Sequence, residues 1–212
     1  MTLHCPVCRH EEVREFQTVA ARVYLRCQRC EATFLDPAYY LTSDEERAHY
    51  DHHENEIEDP GYRKFLSKLA DPLLAQLSKN SKGLDYGCGP GPALAAMLNE
   101  AGHEVSLYDP FFHADRTVLS REYDFITCTE VVEHFHEPAK EFDRLNDMLR
   151  CGGILAVMTC FQTDDEKFAA WHYRTDPTHV VFYREKTFHV LADIYDWRID
   201  IPRKDVMLAV KQ

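Results

Sequence analysis

The sequence predicts an α/β protein: a doubly wound, mostly parallel sheet with a C-terminal antiparallel strand pair, preceded by a small β-rich module. Three observations predict it. Short apolar strands alternate with helical stretches from Lys82 onward, a glycine-rich turn joins the first of these strands to a helix, and two cysteine pairs punctuate residues 1–35. Strands that alternate with helices build a parallel sheet with helices on both faces.

The elements follow in order. Gly83–Tyr86 reads as the first strand, and Pro92–Glu100 as a helix with proline in its first turn and Gly102 just past its end. His103–Tyr108, Tyr123–Cys128 and Ile154–Thr159 read as further strands. A helix over Pro138–Leu149, closed by Cys151-Gly152-Gly153, joins the last two. Trp197–Ile201 and Val206–Val210 flank a turn at Pro202 and read as an antiparallel pair. Only fourteen residues separate Asp109 from Asp124, too few for a helix plus another full strand, so Phe111–Arg121 reads as an abbreviated edge. This domain spans residues 81–212. Residues 36–80 form a second region, in which Phe65, Leu66, Leu69, Leu73, Leu74 and Leu77 recur at helical spacing and need a partner surface.

Composition limits the function classes. With 36 acidic and 24 basic residues among 212, the formal net charge is −12. Such a surface repels a phosphate backbone, which makes nucleic acid an unfavoured partner. No apolar stretch approaches the length of about 20 residues that spans a bilayer. Met1–His10 is polar and lacks the apolar core of a signal peptide. The expected location is therefore cytoplasmic, with the eight cysteines as thiols or metal ligands rather than disulfides.

Cys5-Pro6-Val7-Cys8 and Cys27-Gln28-Arg29-Cys30 stand eighteen residues apart. That spacing is a zinc signature, because two knuckles can aim four thiolates at one tetrahedral ion. Residues 1–35 thus resemble a zinc ribbon whose ion, with no open position, is structural. Cys88, Cys128, Cys151 and Cys160 lie in or beside strands and turns and read as small hydrophobes.

Leu84-Asp85-Tyr86-Gly87-Cys88-Gly89-Pro90-Gly91 follows a strand and opens a helix, where glycine permits sharp turns and close approach of a ligand. A dinucleotide fingerprint needs a third glycine at position 92, where this chain has Pro92, which argues against an NAD-dependent oxidoreductase. Asp109 ends the next strand, where a carboxylate can accept hydrogen bonds from a ribose diol. Together with Tyr123–Ile126, Glu130-Val131-Val132-Glu133-His134 and Leu149–Gly153, these residues resemble the ordered motifs of class I S-adenosylmethionine-dependent methyltransferases. The resemblance implies a Rossmann-like fold and a cofactor cradle of Asp85, Gly87, Cys88, Gly89, Gly91, Asp109 and Thr129. In that cradle Asp85 orients the amino group and Asp109 holds the ribose.

The run Glu130-x-x-Glu133-His134 is similar to that of ubiquinone-pathway O-methyltransferases and small-RNA 2′-O-methyltransferases. The resemblance implies a divalent cation, Mg2+, at Glu130, Glu133 and His134, with His179 as a further ligand. A metal-free role stays open beside it, in which a histidine serves as general base. The spacing i, i+3, i+4 predicts that the first three share one helical face. In residues 36–66, nine acids accompany three bases, which fits either a solvated linker or a lid in which Tyr50, His52, His53, Asn55 and Tyr62 cover the site.

The sequence thus predicts a methyltransferase, with an oxygen of a small molecule as acceptor. Two alternatives remain: an RNA-modifying enzyme that docks through its ribbon, and a non-catalytic module that holds a partner protein. Residues 1–35 carry five arginines against four glutamates, a weak basic bias for docking RNA.

Overall fold

The structure is a computed structural model that describes residues 4–50 and 56–212. Its N-terminal sheet begins with the hairpin β1 (Val13–Val19) and β2 (Arg22–Cys27), whose turn places Ala20 and Ala21 at positive φ. β3 (Thr33–Leu35) pairs antiparallel to β2. The fourth strand comes from far along the chain: β8 (Val181–Phe182) pairs with β3 and completes the order β1-β2-β3-β8. The ribbon sheet is therefore closed by a segment of the C-terminal region, a pairing the sequence reading does not contain.

α1 (Ser43–Tyr50) buries none of its residues. α2 (Pro60–Leu74) starts at Asp59, whose side chain accepts from the Tyr62 amide, and has proline at its first position. Its predicted apolar stripe is real: Leu66, Leu69, Ala70 and Leu73 are buried.

The large sheet contains β4 (Lys82–Tyr86), β5 (Glu104–Tyr108), β6 (Tyr123–Thr129), β7 (Leu149–Met158), β9 (Trp197–Arg203) and β10 (Val206–Lys211). Their order is β5-β4-β6-β7-β10-β9. The first four are parallel, and β10 runs antiparallel to both β7 and β9. α3 (Ala93–Glu100) joins α2 on one face, where Leu66, Leu69, Leu73, Leu94 and Leu98 pack on Phe125, Ile154, Ala156, Met158 and Leu208. α4 (Pro138–Met148) and α5 (Glu185–Tyr195) bring Phe142, Leu145, Phe188 and Leu191 into the other core cluster. That cluster also holds Cys5, Cys27, Tyr24 and Phe34, so the ribbon and the larger domain share one hydrophobic core.

Two details differ from the sequence reading. β7 begins at Leu149, directly after α4, and absorbs Cys151-Gly152-Gly153 instead of leaving them as a helix-closing turn. The register jumps from Tyr123↔Leu149 to Phe125↔Ile154, so Arg150–Gly153 form an irregular stretch with Gly152 at positive φ. The edge near Phe111–Arg121 is abbreviated as expected. β5 is the edge strand on this side of the sheet among the described residues, β9 being the other edge, and Arg116–Ser120 makes only a 3-10 turn.

Candidate functional site

The carboxyl ends of β4, β5 and β6 open into a cleft of about 760 Å³. Ligands of open α/β sheets bind at this end of the strands. Gly87 and Gly89, at φ +77° and +64°, carry the chain from β4 toward α3. Gly87 and Cys88 donate their amides to the Tyr108 carbonyl at 2.7 and 3.2 Å, which pins the loop to β5. A Cβ on Gly87 would lie 2.5 Å from Val131, whereas a Cβ on Gly89 would meet nothing within 4 Å. The first glycine is required by packing; the second leaves a space in the cleft that a ligand can enter.

Asp109 sits at the rim, largely buried. Its Oδ2 accepts from the Gly89 amide at 3.1 Å, and its Oδ1 from the Phe111 and Phe112 amides at 2.8 and 3.1 Å. A carboxylate offers about four acceptor positions. About one position therefore remains for a ribose hydroxyl, fewer than the pair the sequence reading assigns. Asp85 does not line the cleft. It is buried beneath the loop, accepts from the Thr127 hydroxyl at 2.8 Å, and is pushed up to about 6 by burial and then by the charge of Asp109. Thr129 ends β6 at the cleft wall, and its buried hydroxyl has no hydrogen-bond partner. An orphaned donor beside an open glycine cradle fits a polar cofactor segment.

The acidic–histidine run follows at once, but not as a helical face. Glu130 adopts φ +52°, Val131 is extended in φ, and Val132–His134 form a single 3-10 turn. The left-handed residue breaks the i, i+3, i+4 relationship, so Glu130 and Glu133 differ in exposure although one tyrosine hydroxyl, that of Tyr173, reaches both. Glu130 and His134 line the cleft, while Glu133 is fully buried behind them. His179 reaches the cleft from the loop before β8.

The two imidazoles are oriented alike. His134 has Nδ1 3.1 Å from the Thr178 carbonyl and 3.0 Å from the Tyr50 hydroxyl. His179 has Nδ1 2.7 Å from the Tyr173 carbonyl. A carbonyl oxygen only accepts, so each Nδ1 carries a proton and each Nε2 is the nitrogen that can gain or lose one. The Nε2 of His134 lies 4.0 Å from Glu133 Oε1.

Ligand atoms of Glu133, His134 and His179 lie within 4.8 Å of one another, and Glu130 is outside this group. One carboxylate with two imidazoles does not suit magnesium, which prefers an all-oxygen octahedron. The donor set that the motif implies for Mg2+ is therefore not assembled, and the residues do not fit that ion.

The cysteines fit their ion well. Cys5, Cys8, Cys27 and Cys30 converge, with Sγ pairs 3.7 Å (Cys5–Cys30) and 3.6 Å (Cys8–Cys27) apart. A tetrahedron with zinc–sulfur bonds of about 2.3 Å has edges of about 3.8 Å. Both knuckles have the same form. Arg9 and Glu31, each just after the second cysteine, take positive φ and return their amides to the Cys5 and Cys27 carbonyls.

The rest of the site was hidden from sequence. Tyr173 places its hydroxyl between Glu130, Glu133 and Thr159. Tyr86 donates to Glu141, which Arg144 also grips, at the far side of the cleft. Tyr173 stands in the run Trp171–Tyr183, where only His179 has a recognisable spacing; no local signal marks the tyrosine. Tyr50 and Tyr62 of the expected cover do line the cleft, and α1 is tied down by Glu46, 2.8 Å from His136 Nε2. His52, His53 and Asn55 lie outside the described residues. Gly91 stands in the loop but not in the cleft wall.

Comparison with known proteins agrees with this fold. The chain is 29% identical over 86 residues to a ubiquinone biosynthesis O-methyltransferase of Shewanella pealeana. That match takes in 41% of this chain and 36% of the relative, so about a third of the relative's length is represented. Among solved structures, magnesium protoporphyrin IX methyltransferase from Synechocystis PCC 6803 with bound SAH has a TM-score of 0.53 at 16% identity, over 82% of this chain and 97% of that one. A Burkholderia thailandensis 1,6-didemethyltoxoflavin-N1-methyltransferase has a TM-score of 0.50 at 16% identity, over 94% and 99% of the two chains. No helix among the described residues is long and apolar enough to cross a membrane. Residues 50–200 match the family described as "Methyltransferase domain", and the chain belongs to it as a class I S-adenosylmethionine-dependent methyltransferase.

Proposed function

We propose that the chain transfers a methyl group to an oxygen of a small molecule, with His134 taking the acceptor's proton. The observation that carries this reading is the orientation of His134, a residue of the cleft wall whose Nδ1 lies 3.1 Å from the Thr178 carbonyl, so that Nε2 is the nitrogen able to exchange a proton. A neutral hydroxyl is a poor nucleophile until a base removes its proton, whereas an amine already has its lone pair. A base at the methyl position therefore serves an oxygen acceptor best. The Shewanella relative is named an O-methyltransferase and the Burkholderia neighbour an N1-methyltransferase, so likeness alone does not choose between acceptors. Tyr50, Tyr62 and Phe65 wall the same space, which suits a flat, apolar acceptor.

S-adenosylmethionine, when bound, supplies a sulfonium methyl poised for in-line displacement. The chain's own residues do the positioning. Gly87, Cys88, Gly89 and Gly91 shape the cradle, Asp109 holds one ribose hydroxyl, and Thr129 offers its unpartnered hydroxyl to the methionine portion. Asp85 stiffens the loop from below. Glu133, buried 4.0 Å from His134 Nε2 and pushed up to about 8 by burial and then by the charge of Glu130, stabilises the imidazolium that forms when it is itself ionised. His179, its ring centroid 4.6 Å from that of His134, fixes the angle of that ring. A structural zinc at Cys5, Cys8, Cys27 and Cys30 completes the fold.

The test is calorimetric titration with S-adenosylmethionine, S-adenosylhomocysteine and NAD, followed by labelled-methyl transfer to a panel of hydroxylated and aminated aromatics. Binding of the first two ligands and label on oxygen support the reading. Binding of NAD alone, or label only on nitrogen, overturns it.

A further inference from the structure

α1 does not hold its place by apolar burial, since none of its residues is buried. Instead Glu46, His49 and Tyr50, at i, i+3 and i+4 on one helical face, each touch the cleft wall. Glu46 Oε1 lies 2.8 Å from His136 Nε2, and His49 Nε2 lies 3.5 Å from Asp176 Oδ1. The Tyr50 hydroxyl lies 3.0 Å from His134 Nδ1. Polar contacts at a half-exposed surface are individually weak, so the docking of such a helix is readily shifted.

Tyr50 reaches furthest into the cleft. The proton on His134 Nδ1 is shared between the Thr178 carbonyl and the Tyr50 oxygen, so the phenol is one of two acceptors that hold the ring. The Tyr50 ring meets His134 edge to face, 5.5 Å between centroids, and stands 5.7 Å from the ring of Phe111. Phe111 is at the tip of the turn Asp109–His113, whose ends exchange both backbone hydrogen bonds at 3.0 Å. Its amide donates to Asp109 Oδ1 at 2.8 Å, while Asp109 Oδ2 accepts from the Gly89 amide. Phe111 therefore moves with the carboxylate that meets the glycine cradle.

We propose that Tyr50 is a positioning residue that couples the cofactor side of the cleft to His134. Its hydroxyl helps to hold the imidazole, and its ring packs beside Phe111. Cofactor bound at Asp109 fixes the Phe111 turn and so favours the docked α1, which completes the acceptor side. The cofactor consequently binds first. Reciprocity requires that docked α1 tighten the cofactor by the same factor by which the cofactor favours docking. The proposal rests on the reading of His134 as the base of the transfer.

The experiment is amide exchange over Ser43–Tyr50 in the full-length protein, without ligand and with saturating S-adenosylhomocysteine, beside calorimetry of that ligand. In the parent, the ligand should slow exchange of α1 by about tenfold, within the usual range of coupling between sites. Phe111→Ala at saturation should leave α1 exchange as fast as without ligand. Tyr50→Leu should bind the ligand about tenfold more weakly, as reciprocity demands. Tyr50→Phe keeps the ring contact, so protection should persist, but the nitrogen NMR signal of His134 Nδ1 should shift as it loses an acceptor. Unprotected α1 in the ligand-bound parent, or full protection in folded Phe111→Ala, overturns the coupling. Should Phe111→Ala not fold, parental affinity in Tyr50→Leu overturns it instead. An unmoved His134 signal in Tyr50→Phe overturns the positioning role. Failure of the parent to bind S-adenosylhomocysteine sinks the transfer reading and this proposal with it; binding without protection of α1 sinks only the role of Tyr50.

Discussion

The imidazoles of His134 and His179 meet edge to face, 4.6 Å between centroids, and each turns its Nδ1 to a backbone carbonyl. They come from distant parts of the chain, one after β6 and the other before β8. Backbone carbonyls thus orient both rings, and neither depends on the acceptor for its orientation.

His134→Ala should therefore cut methyl transfer by about two to four orders of magnitude, the range that a positioned general base supplies. Cofactor affinity, read by calorimetry, should not change. Transfer should also survive chelation of divalent ions. A rate that collapses with chelator and returns with magnesium or manganese would replace the base with a metal.

The glycine loop makes opposite predictions at its two left-handed positions. Gly89→Val meets open space, so it should fold, at a backbone cost of about 1–2 kcal/mol, and lose S-adenosylmethionine binding. Gly87→Ala drives a Cβ to within 2.5 Å of Val131 and should fail in folding before it fails in binding. Asp109→Ala should weaken the cofactor and also loosen the loop, since it frees the amides of Gly89, Phe111 and Phe112. Undiminished affinity in folded Gly89→Val would misplace the site.

Asp85 links the loop to pH. Its folded carboxyl is raised from 3.8 to about 6, so the folded state binds this proton more tightly than the unfolded state does. Its contribution to stability is fully present below the unfolded value and is lost as pH rises through about 6. Asp85→Asn keeps an acceptor for Thr127 without the buried charge. It should match the parent near pH 4 and exceed it at pH 8 by an amount on the order of 2 kcal/mol, while binding the cofactor less well. Denaturant curves at the two pH values test this, and a pH-independent difference would refute it.

Elemental analysis should find one zinc per chain, and Cys27→Ser should lose it. Because Cys5, Cys27 and Cys30 belong to the same core cluster as Phe142, Tyr183 and Phe188, metal loss should not stay within residues 1–35. Amide exchange should rise at Leu35 and Val180 as well, since the Leu35 amide donates to the Val180 carbonyl at 2.8 Å and the Val180 amide to Glu133 at 2.9 Å. Full zinc in Cys27→Ser would refute the ligand set.

The parallel strands, the amphipathic α2 and the cysteine knuckles were legible because each has a local period or spacing. The stripe of α2 needed a partner, and α3 and the sheet supply it. The acid–histidine run was legible as chemistry but not as geometry. Its spacing suits a helix, and the left-handed turn at Glu130 instead sends one carboxylate to the cleft and buries the other. Tyr173 could not be read at all, since it meets Glu130 and Glu133 only after some forty residues of chain have folded back. β8 is invisible for a related reason. Val181 and Phe182 have no periodicity of their own, and only the free edge of β3 makes them a strand.

That late strand also sets an order of events during synthesis. β3 is made early, yet its partner leaves the ribosome only after residue 182, when most of the chain has been translated. The ribbon hairpin can fold and gather its thiolates long before then, but one edge of its sheet must wait, unpaired, for the His179 loop to arrive. Completion of the N-terminal module and placement of His179 are thus a single late step, so a nascent chain stalled before residue 180 would carry a folded cysteine hairpin and an incomplete cleft wall.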